Sequence, residues 1–115
     1  MITEDYVSLD VANLLNEKGF EGALFDYRNP GKPTCTLYMA MKWLRAAHKL
    51  FIDVTAAMND YIENGEVKYS GPFYYWSIFS LEIAETLAYS PILDTYATYE
   101  QCCEDAVKYC LENLI

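Results

Sequence analysis

The run Phe73-Tyr74-Tyr75-Trp76-Ser77-Ile78-Phe79-Ser80-Leu81 is dense in the aromatic and β-branched side chains that pack well on a pleated surface. It is the strongest strand signal in the chain. Upstream, Leu50-Phe51-Ile52-Asp53-Val54-Thr55 shows a similar period-two, β-branched pattern, and Glu63-Asn64-Gly65-Glu66 lies between the two runs. Asn-Gly suits a tight hairpin turn because both central positions accept positive φ. The two runs are therefore expected to be antiparallel neighbours, with part of the connection paired and the course of 56–71 left open. A second pattern competes with this one. Leu37, Met41, Leu44, His48, Phe51, Thr55, Met58 and Ile62 follow alternating spacings of four and three, which would carry one helix from Leu37 to Ile62. Phe51 to Thr55 is a poor helical run, which favours the strand.

Helix signals flank this sheet. Ser8 caps an expected helix to about Lys18, with Asp10 in its first turn, Val11, Leu14 and Leu15 on one face, and Gly19 as the stop. Ala23 to Tyr27 reads as a short strand, followed by the turn-rich Asn29-Pro30-Gly31-Lys32-Pro33. Thr34 or Thr36 caps a second helix, Leu37 to Lys49. Its core face holds Leu37, Ala40, Met41, Leu44 and Ala47, and Met39, Trp43, Ala46 and Leu50 extend the apolar surface around the back. Residues 84–97 read as a mixed linker containing Ser90-Pro91. Thr98-Tyr99-Glu100-Gln101 is a capping box that opens a last helix to about Leu114, with Tyr99, Cys102, Cys103, Ala106, Val107, Cys110 and Leu114 facing inward. At 115 residues, 53% of them apolar, the chain has material for one folded domain and one core, residues 1–115. The expected class is α+β: a small antiparallel sheet of three or more strands covered on one face by three helices, in two layers.

Charge is unevenly spread. All seventeen acids lie outside Thr34 to Leu50, which holds three of the eight bases, Lys42, Arg45 and Lys49. With Tyr38 between the apolar faces and His48 at the border, these bases form one polar stripe on the second helix. Such a stripe can take a nucleotide-like anion, since Arg offers a bidentate fork and the ring a stacking surface. The plainer reading is a solvated face whose bases pair with acids elsewhere in the fold or in a second subunit. A net charge of −9 argues against direct nucleic-acid binding and against anionic membranes, and suits attraction to a basic protein surface.

Eleven tyrosines exceed what so small a core absorbs with every hydroxyl satisfied. Several are expected at an interface, with Tyr74, Tyr75 and Trp76 as the candidate patch and a homo-oligomer or protein partner as the consequence. No apolar run approaches the about 20 residues of a membrane span, and the acidic N-terminus lacks the basic start of a secretory signal, so the expected location is the cytoplasm. Cys103 and Cys110 stand about 10 Å apart along a helix, beyond disulfide reach, so reduced thiols are expected. One histidine, and no ligand pairs of the Cys-x-x-Cys kind, gives no metal site, no nucleophile-base pair, no catalytic residue and no cofactor. Glu82 and Glu85 are the nearest thing to a carboxylate pair, and they read as solvating.

At Met39-Ala40-Met41-Lys42-Trp43-Leu44-Arg45, at Thr98 through Ile115 and at Met1-Ile2-Thr3-Glu4-Asp5-Tyr6-Val7-Ser8, the chain resembles a family of small uncharacterised proteins encoded in prophages and mobile elements of gut Bacteroidetes. The resemblance covers both ends and the central helix. It implies a small accessory protein acting inside a bacterial host cell and assigns no functional residues. Together with the charge it leads to an expected non-enzymatic, acidic interaction protein that binds and modulates a host protein. The alternative is a small-ligand binder that captures an anion at Tyr38, Lys42, Arg45, His48 and Lys49.

Overall fold

A computed structural model describes residues 6–20, 35–90 and 96–115. Helix α1, Leu9–Glu17, starts where Ser8 Oγ accepts the Val11 N–H at 3.3 Å. The Ser8 N–H itself donates to Glu104 Oε1 at 2.7 Å, so an acid from a distant helix completes the cap. Gly19 ends α1 at φ 103: its N–H reaches the Asn16 carbonyl (3.1 Å) and the Phe20 N–H the Leu15 carbonyl (2.9 Å), the paired bonds of a Schellman stop. The short strand and loop expected at 23–33 lie outside the described residues.

Thr36, not Thr34, caps helix α2, Leu37–His48, by accepting the Met39 N–H at 3.1 Å. Lys49 then takes a left-handed conformation (φ 57, ψ 33), and strand β1 begins at Leu50. The single helix to Ile62 is thereby ruled out. Leu50 and Ile52 turn into the core on alternate positions, a burial that no continuation of α2 past the left-handed Lys49 provides. Around α2 the apolar wrap is narrower than expected: Leu37, Ala40 and Leu44 are buried, but Met39, Ala46 and Ala47 are exposed.

β1, Leu50–Glu63, turns through Asn64 (φ 53) and Gly65 (φ 76) into β2, Glu66–Ser80. The pairing runs from Glu63↔Glu66 to Leu50↔Ser80, with one irregularity between Ala57 and Asn59 where Met58 faces Gly71 and Pro72. Residues 84–97, expected as linker, contain a third strand, β3, Glu85–Tyr89, which pairs antiparallel with β2. The sheet order is β1-β2-β3. Helix α3, Tyr99–Tyr109, starts at Thr98, whose Oγ1 accepts the Gln101 N–H at 3.2 Å, and runs on into a single π-helical turn, Cys110–Leu114.

α2 and α3 lie on one face of the sheet, and α1 packs against α3 and the C-terminal turn. The α+β class and the helix-covered antiparallel sheet are as expected. Small side chains on α3, Cys102, Cys103, Ala106 and Cys110, let the helix approach closely, and all are buried. Trp76 is the largest fully buried side chain. Its indole Nε1 donates to Asp105 Oδ2 at 3.3 Å, Tyr96 O–H donates to the same oxygen, and its ring lies 5.1 Å from Tyr109.

Candidate interaction surface

Strand alternation sends one set of side chains into the helices and the other set away from them. The register pairs Phe51 with Phe79, Thr55 with Tyr75, Ala57 with Phe73 and Ser77 with Tyr89, all on the outer face. No described helix packs there. Phe51 is 39% exposed, Tyr75 43% and Tyr89 71%, and Phe73 and Phe79 are half-buried by their neighbours. Asp53, also exposed, adds one carboxylate between the rings. Five aromatic side chains on a pleated surface that no described helix covers form a broad amphipathic platform, the kind of surface enriched at protein interfaces.

Of the three residues expected as an interface patch, only Tyr75 is on this platform. Trp76 is 1% exposed and belongs to the core. Tyr74 is half-buried on the helix side, edge-on to Tyr99 at 6.1 Å, while its backbone exchanges two 3.0 Å bonds with Tyr96. Consecutive residues of a strand cannot share a face, so a run of adjacent aromatics divides between core and surface. Phe51, Phe79 and Tyr89 were missed for the complementary reason: their common face depends on register across three strands, which no single run displays.

The basic stripe is present on α2. Tyr38 is 66% exposed, Lys42 and Lys49 are exposed and Arg45 is half-buried. The Lys49 carbonyl accepts the Leu81 N–H at 2.8 Å, which ties the end of the stripe to the β2–β3 turn. His48 is engaged otherwise: its ring meets Trp43 edge-on at 4.7 Å, and Trp43 stacks on Phe20 at 5.3 Å. Ion pairs among the described residues are Lys68 with Glu66 and Lys108 with Glu112, both at 3.9 Å, and neither involves the stripe.

Acids also gather between α1 and α3, where Ser8, Asp10, Tyr96, Gln101, Glu104, Asp105 and Lys108 line an open groove of about 530 Å³. Two of these acids have structural duties already described, Glu104 at the α1 cap and Asp105 under Trp76 and Tyr96. A smaller groove of about 260 Å³ beside it runs along Asp10, Asn13, Glu17 and Glu112. The four cysteines are free and buried. Desolvation pushes the Cys35 thiol up to about 11 and those of Cys102 and Cys110 up to about 12, and raises Cys103 as well. Thiols held protonated in this way are poor nucleophiles and poor metal ligands. Among the described residues no three His, Cys, Asp or Glu side chains gather as metal ligands, and no helix is long and apolar enough to cross a membrane. Compared with family models, with curated proteins and with solved structures, the chain has no match in any of the three.

Proposed function

We propose that this chain is a non-enzymatic interaction protein that binds and modulates a basic protein of a bacterial host cell, with the outer sheet face as its docking surface. The observation that carries the reading is the platform of Phe51, Phe73, Tyr75, Phe79 and Tyr89, which no described helix covers. Rigid aromatic rings lose little conformational freedom on contact and supply most of the energy at protein interfaces. A net charge of −9 steers a basic partner toward the molecule and makes its capture salt-dependent. The prophage or mobile-element origin belongs to the same proposal and is supported by the family resemblance alone. Anion capture by Tyr38, Lys42, Arg45, His48 and Lys49 has less support, because His48 is engaged with Trp43.

The test places the photo-crosslinking residue p-benzoylphenylalanine at Tyr75, at Tyr89 and, as a control on α1, at Asn16, in cells of the bacterial host. Tyr75 and Tyr89 should give the same discrete adduct with a basic protein, the adduct should fail to form when lysate is irradiated at raised salt, and Asn16 should give none. Absence of a discrete adduct at the two tyrosines, or an equal one at Asn16, refutes the reading.

A further inference from the structure

Beyond Ala57 the hairpin continues as two strands with no further described strand or helix against it. One side carries Asp60, Ile62, Val67 and Tyr69, and the other Tyr61, Glu63, Glu66 and Lys68. Ile62 is 78% exposed, Tyr69 67% and Val67 60%. A lone two-stranded ribbon is marginally stable in water, and a bare apolar one invites a partner. The tip is also electrostatically unsatisfied. Glu63 lies directly across from Glu66, where like charges repel, and Lys68 reaches Glu66 only at 3.9 Å.

The complementary charge is on the same chain. Lys42, Arg45 and Lys49 share one line on α2 with no acid within ion-pair distance among the described residues. Exposed Tyr38 belongs to that line, and Met39 and Ala46, exposed as well, flank it. The tip cannot fold back onto this stripe. β1 starts next to Lys49 and runs 14 residues to the turn, a span of about 45 Å at strand rise. On α2 the stripe stays within about 20 Å of Lys49 at helix rise.

We infer that the acidic tip of the hairpin docks on the Lys42, Arg45 and Lys49 stripe of a second copy of this chain. Glu63 and Glu66, on one side of the ribbon, meet the bases, and Tyr61 on the same side lies over Met39 and Ala46. Each copy has one tip and one stripe, so reciprocal docking closes a dimer. This contact leaves the outer aromatic platform to another partner, and the two proposals stand or fall separately.

Sedimentation velocity on the full chain tests it with two double charge reversals, Lys42→Glu with Arg45→Glu and Glu63→Lys with Glu66→Lys. The unaltered protein should be a dimer at low salt that dissociates as salt rises. Each double variant alone should be monomeric with an unchanged circular dichroism spectrum, and their equimolar mixture should recover the dimer, since both tip–stripe contacts are then again between opposite charges. A monomeric unaltered protein, dimers that survive both reversals, or a mixture that stays monomeric would overturn it. An adventitious loss of fold is separated from a lost contact by the spectrum and by recovery on mixing.

Discussion

The two halves of one hairpin share a continuous ladder and differ in everything else. From Leu50 to Thr55 and from Tyr75 to Ser80, inward residues are buried, Val54 partly, and outward ones are not, because α2 and α3 cover one side. Met58 and the residues from Asp60 to Tyr69 are exposed on both sides of the ribbon. Hydrogen bonding is common to both halves, so the difference shows that packing against helices, rather than pairing, is what gives a strand its inside and outside.

The sharpest way to break that comparison is to truncate one large side chain in each half. Trp76→Ala removes the largest buried side chain and orphans its bond to Asp105, and should cost about 3–5 kcal/mol in urea unfolding. Tyr69→Ala, at a 67% exposed position, should change stability by less than about 0.5 kcal/mol when measured at high salt. Equal losses would mean that the distal half is packed after all.

Alkali should act through the body. Cys35, Cys102, Cys110 and Tyr96 are all raised by burial, the first to about 11 and the others to about 12, Tyr96 with added help from its bond to Asp105. Their ordinary values are 9.0 for the thiols and 10.0 for the phenol. Between those values and the raised ones the folded chain keeps protons that the unfolded chain releases, so the stabilisation is complete below about pH 9 and is lost as pH climbs toward 12. Melting curves from pH 8 to 11 should show a Tm that falls steadily above pH 9. A flat profile would show that these groups are solvated.

The smallest effect sharpens the comparison from the distal side. Gly65→Ala places a Cβ on a residue at φ 76, a left-handed position that disfavours it by roughly 1–2 kcal/mol. Amide exchange should speed up in 58–70 while the urea midpoint of the body stays in place. A shifted midpoint would mean that the two halves unfold together.

Much of this architecture was legible because local chemistry specified it. Ser8, Gly19 and Thr98 mark helix ends by side-chain bonds or positive φ, Asn64-Gly65 marks the turn, and Lys42, Arg45 and Lys49 in a segment without acids mark a polar stripe. What stayed hidden depends on distance along the chain. Glu85–Tyr89 becomes a strand only because β2 offers an edge, and its own five residues signal little. The platform was hidden by the irregularity at Met58. Counting back from Glu63↔Glu66 without it would pair Leu50 with Phe79, setting a core residue and a surface ring on one face. One strand's extra residue restores Phe51 to Phe79.

That same offset gives the hairpin a joint. Proximal to it, every residue is committed to a side by the helices; distal to it, the ribbon could be lengthened or shortened by whole cross-strand pairs with the assignments of Leu50, Ile52, Trp76 and Ile78 untouched. The inside and outside of the body are thus set independently of how far the distal ribbon extends.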